Sequence, residues 1–332
     1  MTQHSSPPGL AGPPPLQVSA TVRPAGTGTI LPVDENDQLP SSGAALREHR
    51  DVAFDPATGL KLDIVRPGSE RPIPLVVFVP GGGFVLADRG GNPARRRLLA
   101  EAGFAVASIE YRTSTPVATY VDGVRDVQAA VRFLRANAAD YGLDTRRVAV
   151  WGESAGGYLA AMTGVTNGLG RFDPGEDPDP GGDVQAVVDM FGGSDLALLA
   201  ADFDEPTQAF FGGPHNSLVS YVFGRHSGKA CADDPAEAAG ANPLGYVHAE
   251  APPFLLFHGT DDRLVSPSQT LLPHNALLAA GASSTRYLLA GARHGDLAFL
   301  GDPGRGPPVG HPRGHGPLDR LPARPPDSLS FR

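Results

Sequence analysis

An α/β architecture built on a mainly parallel sheet follows from how apolar runs alternate along this 332-residue chain. Short stretches such as Pro74-Leu75-Val76-Val77-Phe78-Val79 are apolar without alternation, as strands buried on both faces are. Between them lie segments with apolar residues at helical spacing, and strands that alternate with helices build a parallel sheet covered by helices. Several of the strands also run straight into glycine-rich or polar turns.

Taken in order, residues from Met1 to about Gly43 are rich in Pro, Gly, Ser and Thr without periodicity, so 1–45 is read as a disordered extension. Arg50 to Phe54 and Leu60 to Val65 form a hairpin that turns at Asp55-Pro56-Ala57-Thr58-Gly59. After the Pro74–Val79 strand come a helix over Arg95 to Ala102 and a strand over Ala105 to Glu110. Val124, Val127, Val131 and Leu134 mark a helix over Val121 to Asn137. Arg147-Val148-Ala149-Val150 is the next strand, and an alanine-rich helical pattern from Tyr158 to Met162 follows it. Val184 to Asp189 is strand-like, and Ser194 to Glu250 is irregular and polar. Pro253 to Phe257 and Thr285 to Leu289 complete the sheet. One domain over 46–303 is expected, long enough to bury roughly three quarters of its unfolded surface.

Composition narrows the function. Hydrophobic residues make up 41% and charged residues 19%, which suits a soluble enzyme. The net charge of −9 argues against nucleic acid and anionic membranes as partners. No apolar run approaches the length of a membrane-spanning helix. The N-terminus has neither a basic nor an apolar leader region, so no signal peptide is expected. A single cysteine, Cys231, allows no internal disulfide and is read as a spare thiol. The expected compartment is the cytoplasm.

The chemistry is concentrated in four motifs. Gly152-Glu153-Ser154-Ala155-Gly156 is a Gly-x-Ser-x-Gly sequence between a strand and a helix, the setting of a nucleophile elbow. Glycines on either side leave room for neighbouring backbone. Upstream, Pro80-Gly81-Gly82-Gly83-Phe84 closes a strand with a glycine-rich loop, which can turn several N–H groups toward a developing oxyanion. Neither phosphate-loop pattern fits there. Downstream, Phe257-His258-Gly259-Thr260-Asp261-Asp262 ends a strand in a turn with two aspartates, and Gly291-Ala292-Arg293-His294-Gly295 follows the last strand. Serine, aspartate and histidine in that order suit a serine nucleophile, with His294 as base near neutral pH and a buried carboxylate fixing its tautomer.

These motifs, together with Ile109-Glu110-Tyr111-Arg112, resemble α/β-hydrolase esterases, in particular the hormone-sensitive-lipase-like and bacterial feruloyl-esterase-like (BD-FAE) groups. The likeness runs from about His49 to about Pro303. It implies an α/β-hydrolase fold whose mainly parallel sheet is flanked by helices, with a small cap inserted over about 194–250. It also implies Asp262 rather than Asp261 as the catalytic acid, His294 as the base, and backbone N–H groups of Gly82, Gly83 and Ala155 as the oxyanion hole. Where the family usually has His-Gly-Gly-Gly, this chain has Pro80, which stiffens the loop and cannot donate a hydrogen bond. The implied activity is hydrolysis of short-chain or aryl carboxylic esters through an acyl-enzyme, with a small-molecule ester as partner. The alternatives are an amidase resembling kynurenine formamidase, and a non-catalytic binding protein on the same scaffold. No cofactor and no metal are expected.

Other features are read plainly. His258 stabilises its turn, since the motif order already assigns His294. Phe210, Phe211, Tyr221 and Phe223 line the substrate pocket or pack the cap's own core. Asp173 to Pro180 lacks a calcium-loop ligand order and reads as a solvated loop. His311 and His315 lie in a Pro/Gly tail and are not read as metal ligands. In the family an amphipathic helix follows the catalytic histidine, whereas Gly304 to Arg332 has no helical apolar face. Moving the frame by one base through Pro308 to Gly316 permits Pro-Trp-Ala-Thr-Arg-Glu-Val-Met-Asp, and through Arg320 to Ala323 it permits Ile-x-Phe-Leu. The irregular 304–332 tail is therefore read as a shifted frame, with a natural disordered tail as the alternative.

Overall fold

The fold is given by a computed structural model that describes residues 29–31, 45–115, 117–172, 180–214 and 216–295. The strands are β1 (Thr29–Leu31), β2 (Leu46–Asp55), β3 (Leu60–Pro67), β4 (Ile73–Val79), β5 (Ala105–Ile109), β6 (Leu143–Glu153), β7 (Ala186–Met190), β8 (Phe254–Gly259) and β9 (Ser284–Leu289). The helices are α1 (Pro93–Glu101), α2 (Tyr120–Ala136), α3 (Ala138–Tyr141), α4 (Ala155–Val165), α5 (Glu205–Gly212), α6 (Ser217–Phe223), α7 (Pro235–Gly240) and α8 (Ser268–Ala280). Among the described residues the strands form one nine-stranded sheet in the order β1-β9-β8-β7-β6-β4-β5-β3-β2. Strands β2 and β3 are antiparallel, and β3 joins β5 antiparallel; all other pairs are parallel.

The central strands are buried along nearly their whole length, which is why they carry apolar runs and no alternation. Val77, Val79, Val150 and Leu256 belong to a core that α2 and α4 also enter. Phe78, Trp151, Phe257 and Leu289 belong to a second core that also contains Leu99 and Ala100 of α1. Helix α4 is buried at every position. The chain leaves β4 toward β5 on one side, while β6 lies on the other side. Such a switch point opens a crevice at the carboxyl ends of the strands. The ends of β4 and β6 carry the glycine-rich loop and Ser154, so the topology puts those two motifs side by side.

Several features differ from the sequence reading, among them α3 and α8, which it did not mark. Within the stretch read as an extension, Thr29–Leu31 pairs with β9 in parallel register. Three residues are too few for a hydrophobic period to register. The segment read as irregular and polar, Ser194 to Glu250, contains α5, α6 and α7 between β7 and β8. Asp204, Asn216 and Asp234 cap these helices by accepting the N–H groups of Thr207, Leu218 and Glu237. Pro206 and Pro235 occupy the first helical turns, where proline's missing N–H costs nothing. Those Asp/Asn caps and prolines were the available signal. Residues 173–179, the 304–332 tail with its shifted-frame reading, His311 and His315 lie outside the described residues. No helix of the described residues is long and apolar enough to cross a membrane.

One buried hydrogen bond joins α4 to the cap: the fully buried Tyr158 donates its hydroxyl to the Ala241 carbonyl at 2.6 Å. Tyr158→Phe leaves that carbonyl without this donor and should destabilise the fold by about 1–2 kcal/mol. Urea unfolding with an unchanged m-value checks this; an unchanged midpoint would show that the bond contributes nothing.

Candidate active site

The elbow is a backbone construction. Ser154 sits at φ 53° and ψ −118°, a positive-φ conformation that L-residues rarely adopt. A Cβ on Gly156 would lie 2.0 Å from the Val79 carbonyl oxygen, and one on Gly152 would lie 2.0 Å from that of Gly156. Only glycine allows α4 to begin this close to β4 and β6. The Ser154 N–H donates to the Met190 carbonyl at 2.9 Å, tying the turn to β7 as well. Beneath the turn, the buried Arg95 of α1 pairs with Glu153 and lies over the Trp151 ring at 5.4 Å. Burial pushes that guanidinium down to about 9. Sequence reasoning did not find this pair, which joins residues from separate elements.

The three side chains singled out from the motifs lie in one line. His294 Nε2 is 3.0 Å from Ser154 Oγ, and His294 Nδ1 is 2.7 Å from Asp262 Oδ2. A carboxylate only accepts, so Nδ1 carries the hydrogen and Nε2 presents its lone pair to the serine hydroxyl. The His294 ring also meets Phe191 edge-on at 4.8 Å. Asp262 is completely buried, and its Oδ1 accepts the N–H groups of Leu264 and Val265, each at 2.9 Å. Burial alone would raise its pKa, but hydrogen bonds with His258 and His294 outweigh it and hold the carboxyl well below the ordinary range. Asp261, left open by the motif, is exposed and meets Thr260 Oγ1 at 3.4 Å.

The glycine-rich loop is held by its carbonyl groups. Tyr111 donates its hydroxyl to Pro80 O at 3.0 Å, and the Gly82 carbonyl accepts from Val85 N (3.1 Å) and Leu86 N (3.2 Å). Ser217 Oγ donates to Gly83 O at 2.7 Å, while Ser114 N and Oγ donate to Phe84 O at 2.8 and 2.9 Å. In a trans peptide the N–H points opposite to the carbonyl. Pinning the Gly82 carbonyl therefore turns the Gly83 N–H away from the Val85–Leu86 turn. Gly82 at φ 151° and Gly83 at φ 59° need glycine, and a Cβ on Gly82 would meet Leu86 O at 2.1 Å. Ala155 opens α4, so its N–H has no intrahelical acceptor. Burial keeps the Tyr111 phenol protonated, its pKa raised above the ordinary value. Tyr111 sits in one of the quoted motifs, but nothing in the sequence shows that it supports the loop at Pro80.

A cavity of about 410 Å³ opens beside Ser154, lined by Phe84, Leu196, Leu199, Phe211, Leu218 and Val265 among others. The four cap aromatics divide between the two roles read for them. Phe210 and Phe211 line the cavity. Tyr221 is buried, stacks on Phe84 at 4.6 Å and donates to Arg112 O, and Phe223 packs against the core. Cys231 is free and buried, and burial pushes its thiol up.

A sheet of this topology, with a serine elbow after β6 and an aspartate and histidine after β8 and β9, defines an α/β-hydrolase fold. The chain belongs to the BD-FAE family, whose model matches residues 62–277, a span that holds Ser154 and Asp262 and ends before His294. It is 34% identical over 235 residues to esterase LipQ of Mycobacterium tuberculosis, covering 69% of this chain and 52% of that protein. It is 30% identical over 261 residues to a probable isoprenylcysteine alpha-carbonyl methylesterase of Arabidopsis thaliana, covering 77% and 52%. A solved structure, a truncated form of a carbohydrate esterase from gut microbiota, superposes with a TM-score of 0.64 at 25% identity over 79% of this chain and 94% of that one. The chain thus spans about half the length of the two curated relatives.

Two expected outcomes test this geometry. Asp262→Asn should lower ester turnover by about 10⁴ in kcat through loss of the correct imidazole tautomer, and Asp261→Asn should cost far less. The opposite ranking would move the acid to Asp261. The second concerns Asp189, a buried carboxyl at the end of β7 that accepts Gly192 N–H at 2.8 Å. Burial pushes it up to about 7, so the folded state holds this proton more tightly than the unfolded chain. Its effect on stability is absent below the unfolded carboxylate pKa near ~4, turns unfavourable as pH rises, and is complete above about 7. Asp189→Asn should raise the melting temperature at pH 8 more than at pH 5, and an equal shift at both would contradict it.

Proposed function

We propose that this chain hydrolyses short-chain or aryl carboxylic esters through an acyl-enzyme. The observation that carries the proposal is the Ser154–His294–Asp262 line at 3.0 and 2.7 Å on a positive-φ elbow. Ser154 Oγ attacks the ester carbonyl as its proton passes to His294 Nε2. Asp262 stabilises the imidazolium, and the N–H groups of Gly82, Gly83 and Ala155 receive the oxyanion. Collapse of the tetrahedral species breaks the bond to the alcohol oxygen, which takes the proton from Nε2 and leaves. Water then attacks the acyl carbon, giving its proton to His294. A second collapse returns that proton to Ser154 Oγ and frees the carboxylic acid.

The cavity supports the substrate class. Its apolar lining beside the nucleophile fits an acyl group, and about 410 Å³ is at the small end for a ligand pocket. The matched relatives named as esterases agree with this chemistry. A cytoplasmic setting is part of the proposal and fits a chain with one cysteine.

A panel of p-nitrophenyl esters of rising acyl length, methyl ferulate and N-formylkynurenine tests the reading. Short or aryl esters should be turned over best, and preferential cleavage of the formamide would make the protein an amidase. Ser154→Ala should lower kcat by about 10⁶ without unfolding the protein. It should also abolish labelling by a fluorophosphonate probe. A wild-type protein that binds esters without turnover or labelling would be a binding protein instead, and more than a tenth of wild-type activity in Ser154→Ala would end the assignment.

A further inference from the structure

His258 ends the strand before the acid turn and is fully buried. Its Nε2 lies 3.0 Å from the Val265 carbonyl oxygen and 3.2 Å from Asp262 Oδ2. Neither oxygen has a hydrogen to give, since Asp262 is held ionised. Nε2 must therefore carry one. The opposite nitrogen, Nδ1, is 3.1 Å from Thr270 Oγ1. That hydroxyl accepts from Arg286 Nε at 3.0 Å and lies 3.3 Å from Pro267 O, to which Arg286 Nη2 also donates at 2.8 Å. The ring is thus fixed at Nε2 by the acid turn and at Nδ1 by Thr270 of α8, which Arg286 of β9 holds in turn.

The two oxygens of Asp262 are treated differently. Oδ1 is occupied by two backbone N–H groups of its own turn. Oδ2, the atom that His294 uses, has His258 Nε2 as its second neighbour. We infer that His258 is a positioning residue of the reaction, whose Nε2–H, shared between Val265 O and Asp262 Oδ2, aims the carboxylate at His294 and moderates its basicity. This rests on the Ser154–His294–Asp262 reading. His258 touches neither substrate nor the reacting atoms, so it acts through Asp262.

The consequence has a definite sign. Without the Nε2–H, negative charge on Oδ2 is less neutralised and the His294 imidazolium is better stabilised, which moves the acid limb of the rate profile to higher pH. The other charged groups near His258 are Asp202 from the cap segment, which interacts with it electrostatically, and Arg286 through Thr270. Neither is itself altered by a substitution at His258.

The test compares His258→Gln, whose side-chain NH₂ can occupy the Nε2 position, with His258→Leu, or His258→Met if the leucine protein does not fold. For each, kcat and KM for a p-nitrophenyl ester are measured from pH 5 to 9, beside a thermal melt. The apolar variant should lose about 10–100-fold in kcat with KM little changed, well short of the ~10⁴ for the carboxylate itself. Its acid limb should move up by about half a pH unit to one, while Gln keeps the wild-type limb and most of kcat. A folded apolar variant with an unmoved limb and kcat within about threefold would overturn the inference, as would a Gln variant as impaired as the apolar one. Either result leaves the Ser154→Ala outcome, and so the hydrolase reading, independently standing.

Discussion

The close approach of α4 to the ends of β4 and β6 is the constraint on which this site depends. Two missing Cβ atoms, at Gly152 and Gly156, let the helix start where any larger residue would collide with carbonyl oxygens 2.0 Å away. Ser154 is held in a positive-φ conformation by that contact and by its N–H bond to β7. The helix N-terminus then stands open beside the serine, with unsatisfied N–H groups and the positive end of its dipole facing the pocket. The same contact brings β4's glycine-rich loop alongside. Below it, the buried Arg95–Glu153 pair is anchored in α1 and the residue next to Ser154. Removing either partner would take away the opposite charge that the other is buried against.

Two buried aspartates show how the environment alone separates like groups. Asp262 has donors on both oxygens and is held ionised despite full burial. Asp189 accepts from Gly192, and its Oδ2 has no hydrogen-bond partner among the described residues, so burial governs its proton. An ionised carboxylate can hold His294 in one tautomer, and a carboxyl that titrates near neutrality could not do so constantly.

The cap and the loop form one mechanical unit. Ser217, at the first turn of α6, holds the Gly83 carbonyl, and Tyr221 of the same helix stacks on Phe84. A movement of α6 therefore reaches the loop peptides directly. The cavity takes its apolar walls from both sides of this junction. Pro80 in place of a histidine is compatible with this arrangement, because proline's carbonyl still accepts the Tyr111 hydroxyl.

By itself the sequence determined what depends on local pattern. Short apolar runs marked β4 through β8, helical patterns marked α1, α2 and α4, and glycines around Ser154 marked the elbow, because each is written within a dozen neighbouring residues. What the tertiary structure alone decided involves partners far apart in the chain. Thr29–Leu31 is a strand only because β9 lies beside it. Helix α8 contains Pro273, which interrupts the helical period, and forms against β8 and β9. Asp262 differs from Asp261 not in type but in burial, and that depends on how the β8 turn folds under His294. Phe210 and Phe211 line the cavity, Phe211 also packing against the core, while Tyr221 and Phe223 pack inward, a division that four aromatics in one polar stretch cannot express. Local sequence carries period and backbone preference; burial and the choice of partner exist only after distant segments have met.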